Sequence, residues 1–422
     1  MLKLRRGGTK AKTSRVIAAL DIGTSKVCCL IMAVDGPEEM RLVGFGHQRM
    51  RGLKAGVVVD PDQAERAVRA AVGQAERMAG HTLERVFVSV TCGRLKSSNF
   101  VARAPLTDGS VGRGDIARVF AAGDAFAARN GRVVVQLMHG DWSLDGQPAV
   151  RDPLGMAGRE LSLPMHAVTA DEPPLRNLLH VVERCYLEAE GLVAAPFASA
   201  LAATTEEERR LGVLCIDFGG GTTTLSIFVD GRSVFVDSVP VGGSHVSYDI
   251  ARAFSTPLAE AERIKALYGT LVQAHSDESE VIAFQSADNS VEAPFQATKA
   301  QLRAVIEARL EALYGLVAER LAQSGVEHVV GGRVVVTGGA SQLVGLAEWW
   351  SARCGSVART GRPRILESLS SAMSSPAFSA AVGLVIAGMS PEAGSETSGG
   401  ALSAPAGSSY LGRIHGWIRD SF

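Results

Sequence analysis

Hydrophobic positions along this chain fall into two alternating rhythms. Short β-branched runs read as strands: Val16 to Leu20, Val86 to Val90, Val133 to Met138, Leu211 to Asp217, Thr224 to Val229 and Arg333 to Thr337. Between them lie longer stretches with a helical period: Asp60 to Met78, Arg113 to Arg129, Ala251 to Tyr268 and Lys299 to Ser324. Strands that alternate with helices predict an α/β fold. From Gly388 the rhythm stops. SPEAGSETSGGALSAPAGSS has no periodic apolar positions and predicts a disordered linker, and ordered patterning resumes only at Tyr410.

One pattern occurs twice. VIAALDIGTSKVCCLIMAV (Val16 to Val34) and LGVLCIDFGGGTTTLSIFV (Leu211 to Val229) both run strand, aspartate, glycine-bearing turn with hydroxyls, strand. Two similar halves are implied. Gly23, Thr24, Ser25 and Lys26 in one turn, and Gly219, Gly220, Gly221, Thr222 and Thr223 in the other, offer amide and hydroxyl donors to phosphate, with one Lys charge. Asp21 and Asp217 are carboxylates at neutral pH and cannot bind phosphate themselves, so their role opposite a polyphosphate is to hold hydrated Mg²⁺. A single such turn is more often plain turn chemistry; its repetition carries the argument. A third segment, VVVTGGASQL, runs from a strand through Gly338, Gly339 and Ala340 to a helix start at Ser341. It is either a simple strand-to-helix turn or a backbone shelf against adenosine and its α-phosphate.

Composition narrows the partners. A chain of 422 residues that is 46% hydrophobic can bury a sizeable core in more than one domain. A formal net charge of −1 gives no general attraction to nucleic acid, so none is expected as a partner, and any membrane binding must come from a local patch. The six cysteines form no CxxC pair and fit a reduced cytoplasmic protein. The basic opening MLKLRRGGTKAKTSR leads into VIAAL, too short for a signal peptide, and reads as a disordered arm. Pro376 to Met389 falls short of the roughly 18 apolar residues that a membrane span needs.

The tail supplies the local patch. On a helix, Tyr410, Leu411, Ile414, Trp417, Ile418 and Phe422 fall within an arc of about 140°, with Arg413 and Arg419 outside it. A short helix of this kind after a flexible leash has the form of an interfacial membrane anchor, against the alternative of docking back on the body. A single copy binds modestly, so stable attachment implies self-assembly.

Taken together, the three turns resemble the ATPase signature shared by actin, sugar kinases and heat-shock chaperones over residues 16 to 389. The resemblance implies ATP and Mg²⁺ as ligands and a duplicated actin-like (RNase H-like) fold. It also marks Glu262 and Lys265, in AEAERIK, as adenine-side candidates, beside the reading of a solvated helix face. In actin-like proteins a Gln or Glu ahead of the helix near Pro196 positions the water. Ala194 and Ala195 stand there, with Glu190 displaced upstream, so slow or absent hydrolysis is expected.

SSNFVARAP, RVVVQLMHGDWSL and RDPLGMAGREL resemble the inserted subdomain of the FtsA family, the bacterial actin-like division proteins, and GLKAGVVVDPDQAERAVRAAV is similar to FtsA in wording. The implied organisation is an arm 1–15, a first domain in parts 16–96 and 169–210 around an insert 97–168, and a second domain 211–370. A return helix 371–389, a linker 390–409 and a membrane helix 410–422 complete it. The implied role is an ATP-governed tether of the FtsZ ring at the cytoplasmic face of the inner membrane at the division site. Such a protein self-assembles in an actin-like way, recruits later division proteins and binds the C-terminal peptide of FtsZ. Arg309, in QLRAVIEARLEALYGLV, is the candidate contact for that peptide, with a structural Arg on a solvated face as the alternative. A pilus-assembly homologue or a small-molecule kinase of the same fold is the rival reading.

Overall fold

A computed structural model describes residues 15–34, 40–128, 131–286, 295–326, 332–363 and 373–389. Most of the expected basic arm, the linker 390–409 and the membrane segment 410–422 lie outside them.

The duplicated pattern folds into two hairpins at the centres of two sheets. Arg15–Ile22 pairs antiparallel with Lys26–Val34, and Val213–Phe218 pairs antiparallel with Thr223–Val229. The registers correspond. Asp21 faces Cys28 and Asp217 faces Thr224, the same spacing around the same length of turn. The first sheet has five strands in the order Glu188–Ala194, Arg85–Val90, Arg15–Ile22, Lys26–Val34, Met40–Arg49. Its two hairpin strands, Arg15–Ile22 and Lys26–Val34, are buried on both faces over most of their length and therefore read as continuous apolar runs.

In the second sheet, Arg232–Val239, Thr223–Val229, Val213–Phe218, Arg333–Thr337 and Val357–Thr360 lie side by side. The chain between Cys92 and Thr169 adds its own strands to that sheet. Lys96–Pro105 pairs along its length with Glu160–Asp171, which also pairs with Arg132–His139. This inserted sheet joins the second one at a single pair, Asp237 with Lys96. Around that seam Val236 N–H donates to Ser97 Oγ (2.8 Å) and the Asn99 amide donates to the Val234 carbonyl (2.8 Å).

The helix Pro61–Ala79 shows why these segments start and stop where they do. Asp60 accepts from Gln63 N–H at its N-terminus, Pro61 fills the first turn, and Gly80 ends it with a left-handed φ of 67°. Its Ala64, Val68, Ala71, Val72 and Ala75 are buried, and Gly46 of the sheet comes so close that a Cβ there would lie 1.9 Å from the Ala71 carbonyl oxygen. The expected helix Ala251 to Tyr268 is in fact two, Gly243–Ala253 and Leu258–Tyr268. Pro257 divides them, because its ring excludes the preceding residue from the helical region. Two small-residue helices, Ala195–Ala203 and Ser379–Met389, pack face to face between the hairpins, with a Cβ on Gly383 placed 1.8 Å from the Ala198 carbonyl oxygen. Among the described residues no helix is long and apolar enough to cross a membrane.

Candidate functional site

The two hairpin turns face each other across a cleft. Gly23 N–H donates to the Lys26 carbonyl (2.9 Å) in one, and Gly219 N–H donates to the Thr222 carbonyl (3.0 Å) in the other, so both turns close by the same bond. The cleft holds a cavity of about 70 Å³ that opens to solvent at its mouth. It is lined by Asp21, Gly23, Thr24, Ser25 and Lys26 from the first turn, Asp217, Gly219, Gly220 and Thr222 from the second, and Gly338 and Gly339 from the third segment. Three stretches far apart in sequence thus converge.

Each aspartate is held by a hydroxyl that sequence patterns gave no reason to select. Ser89, on the neighbouring parallel strand, donates to Asp21 Oδ1 (2.7 Å) and accepts from Ile22 N–H (3.1 Å). Ser199, in the helix Ala195–Ala203, donates to Asp217. Burial raises the pKa of both carboxyls. For Asp217 the neighbouring Asp21 charge adds to burial against the pull of Ser199 and Lys26, and the value reaches about 6. For Asp21, Lys26 and Ser89 oppose the burial. Two carboxylates enclosed on one cleft are the donor set that a hydrated divalent cation would relieve.

Two further observations fit a bound ligand. Thr224, buried and lining the cleft, has a hydroxyl with no hydrogen-bond partner among the described residues. Gly338 holds a φ of 88°, and a Cβ on it would lie 2.2 Å from Asp217 Oδ1, so only glycine keeps this wall flat. Thr224 escaped notice because it reads as an ordinary β-branched strand residue.

Of the other residues singled out in the sequence, Gly221, Thr223, Ala340 and Ser341 stand outside the cleft lining. Gly221 packs on Thr24, where a Cβ would come to 2.6 Å. Thr223 begins the strand and spends its hydroxyl on the Val241 carbonyl (2.7 Å). Ser341 donates to the Gly338 carbonyl (2.7 Å) and so stabilises the turn. Lys265 pairs with Glu262 (2.6 Å) and donates to the Gly243 carbonyl (3.0 Å) and to Ser247 Oγ (2.7 Å). Gly243 abuts Ala340 and its N–H donates to the Gly219 carbonyl (2.9 Å), which puts Lys265 one layer behind the cleft wall. Lys26 donates to the Ala377 carbonyl and sits 5.1 Å from the centre of the Phe378 ring, pinning the return segment to the first turn. Arg309 is engaged by Asp249 through two bonds, the longer at 2.9 Å. Ala195 lines the cleft where the helix Ala195–Ala203 begins, while Glu190 stands at a register shift in the preceding strand. The segment Tyr410, Leu411, Arg413, Ile414, Trp417, Ile418, Arg419 and Phe422 lies outside the described residues.

The family model described as cell division protein FtsA matches residues 214–383, and that described as the SHS2 domain inserted in FtsA matches residues 92–169. The chain is similar to the cell division protein FtsA of Rhizobium meliloti (strain 1021), 38% identical over 98% of this chain and 96% of that one. The FtsA of Pseudomonas aeruginosa is 32% identical, covering 97% and 99%, and that of Escherichia coli (strain K12) is 29% identical, covering 98% and 100%. Among solved structures, a PilM–PilN type IV pilus biogenesis complex aligns over 89% of this chain and 99% of that one, with a TM-score of 0.62 and 18% identity. MreB5 of Spiroplasma citri bound to ADP aligns over 88% and 95%, with a TM-score of 0.53 and 16% identity. Both share the actin-like fold.

Proposed function

Since the chain belongs to the FtsA family of cell-division proteins, we propose that its cleft binds ATP with Mg²⁺ and that the protein tethers the FtsZ ring to the cytoplasmic face of the cell membrane at the division site. The observation that carries the nucleotide reading is the convergence of two glycine-bearing turns and two enclosed aspartates on one wall kept flat by Gly338. Backbone N–H groups of the turns, the hydroxyls of Thr24, Ser25, Thr222 and Thr224, and Lys26 would receive the phosphates; Asp21 and Asp217 would hold the waters of the metal. Bound Mg²⁺ supplies positive charge that neutralises polyphosphate and carboxylates together. Gly339, Ala340 and Ser341, backed by Glu262 and Lys265, form the adenosine side.

With alanine at the N-cap, Ala194, and at the first helical position, Ala195, no side chain there can orient an attacking water, so ATP acts mainly as a conformational ligand. Steady-state turnover on the order of 10 per second would overturn that view.

Membrane attachment is assigned to residues 410–422, self-assembly to avidity among weak anchors, and recruitment of later division proteins to the inserted subdomain. The C-terminal peptide of FtsZ is acidic and would meet Arg309 by displacing Asp249 from it. The experiment for the tether is deletion of Tyr410 to Phe422: sedimentation with liposomes should be lost, and a truncated chain that still pellets would refute the tether. For the cleft, unchanged Mg·ATP affinity in Asp217→Ala would move the nucleotide elsewhere. The rival readings of a pilus-assembly protein or a kinase are not favoured by relatives named cell division protein FtsA at 29–38% identity.

A further inference from the structure

A second cavity, of about 730 Å³, lies where the inserted sheet meets the hairpin Thr223–Val229 and Arg232–Val239. Its walls are apolar and aromatic, with Phe100 and Met165 on the insert, Phe197 and Leu201 on the helix Ala195–Ala203, and Phe228 on the hairpin. Two polar groups inside it are unusual. His166 is 5% exposed and Ser233 6% exposed; the His166 ring has only a weak interaction with the Ser233 backbone, and the Ser233 hydroxyl has no hydrogen-bond partner among the described residues. Burial pushes the His166 pKa down to about 4, so at neutral pH the ring offers one donor and one acceptor. Poorly satisfied buried polar groups are costly, and a partner that supplies hydrogen bonds recovers that cost.

The cavity therefore fits an aromatic side chain with a single polar handle. The mouth carries Asp141, Asp230 and Arg232, an acidic excess, with Arg232 paired to Asp141 at 2.8 Å. Beyond Met389 this chain continues to Phe422, and there Trp417, whose indole N–H is a donor, stands between Arg413 and Arg419. The tether is long enough. Ala198, next to Phe197, touches Gly383, and Met389 lies six residues on, about 9 Å along the helix axis. A chain of the length of 390–409 that behaves as a random coil would have a root-mean-square reach of about 25 Å.

We propose that this cavity receives Trp417 of the chain's own C-terminal segment, so that the pocket and the bilayer compete for the same residues. The competition rests on the membrane reading above; the docking does not. The helix that carries Phe197 and Leu201 on the cavity side carries Ser199 against Asp217 on the other, so occupancy of the cavity and of the nucleotide cleft are linked, and the linkage is reciprocal.

The test uses the full-length chain labelled with 5-fluorotryptophan, the Trp417 resonance being assigned as the one that Trp417→Phe removes. Without vesicles, Trp417 should be shielded several-fold from a soluble paramagnetic agent. Ser233→Phe, which fills the cavity, should expose it and should lower several-fold the protein concentration needed to sediment with phosphatidylglycerol-containing vesicles. His166→Leu, which preserves the fold if the bulkier change does not, should reduce the shielding. Equal exposure of Trp417 in the parent and in both variants would overturn the docking. Shielding that grows with protein concentration would overturn its intramolecular form in favour of a second copy's tail. A shielded fraction indifferent to Mg·ATP would break the link through the helix. If Trp417 is shielded but deletion of 410–422 leaves vesicle sedimentation intact, the docking stands and the membrane reading falls.

Discussion

The two hairpin turns have the same length and close by the same bond, yet their side chains have been shared out unequally. The first has Thr24, Ser25 and Lys26 where the second has Gly220, Gly221 and Thr222. The difference is complementary. A Cβ on Gly220 would lie 2.7 Å from the Ser25 Cβ, and one on Gly221 would lie 2.6 Å from Thr24 Cγ2. The first turn therefore projects into space that the second leaves by having no side chains. The first copy supplies the charge and the side chains at the tip of its turn, while the second supplies bare backbone there and places its hydroxyls, Thr222 and Thr224, at the base. Thr24 is further fixed by Gly56 N–H, which donates to its Oγ1 (2.9 Å). The glycine turn is held from behind, where Gly243 and Ser244 N–H groups donate to the Gly219 and Gly220 carbonyls (2.9 and 2.8 Å). A duplicated fold can thus build one asymmetric site only if its copies diverge in opposite directions.

The sharpest way to break this comparison is on the wall beside the glycine turn. Gly338→Ala forces a side chain into a left-handed backbone and onto Asp217, and should cost about 3 kcal/mol or more of stability with loss of nucleotide binding. Thermal unfolding and calorimetric titration with Mg·ATP check both.

Next, Asp217→Asn should lower Mg·ATP affinity about 100-fold, roughly 2.7 kcal/mol, yet stabilise the nucleotide-free chain. The sign follows from a folded pKa of about 6 against an ordinary 3.8. The folded state binds the extra proton, so stability is lost as pH rises between those values and the loss is complete above 6. The whole shift would amount to about 3 kcal/mol, and the partial opening of Asp217 to the cleft brings the expected gain nearer 2. Melting curves from pH 4 to 8 should show the variant overtaking the parent; parallel curves would mean that Asp217 is not strained.

Exchanging the divided labour tests it directly. Lys26→Met removes the cation of the first turn and should weaken ATP binding about tenfold while leaving its dependence on Mg²⁺ intact, a separation that Asp217→Asn should not show. The smallest effect is expected from Ser89→Ala. It removes a buried hydroxyl that links Asp21 to the Ile22 backbone, should cost about 1–2 kcal/mol in urea unfolding, and should raise the Asp21 pKa further.

The turns were legible in the sequence because the chemistry required there, glycine for close approach beside an aspartate, leaves a contiguous signature. The strands that carry them were legible because both their faces are buried. Ser89, Ser199 and Thr224 were not. Their roles depend on which strand or helix lies next to the aspartate, and that is set by a parallel register (Leu20 facing Val88) and a helix crossing that no local pattern encodes. The helix expected over Ala251 to Tyr268 ran through Pro257 because apolar periodicity continues on both sides of the break. The functional assignment of Glu262 and Lys265 came from resemblance; their geometry, one layer behind the wall, suits both a purely structural pair and a support for the adenosine side.

The seam between the inserted sheet and the second sheet has a mechanical meaning. Its contacts, the Asp237 to Lys96 pair, Val236 to Ser97 and Val234 to Asn99, lie one after another along the strand. A pull that lifts the insert from one end loads these bonds in turn, each with the strength of a single hydrogen bond. A pull along the strand axis loads them together, and the joint resists as a unit. The direction in which a partner tugs on the insert therefore decides whether the force opens that joint or passes through it into the sheet that carries Asp217.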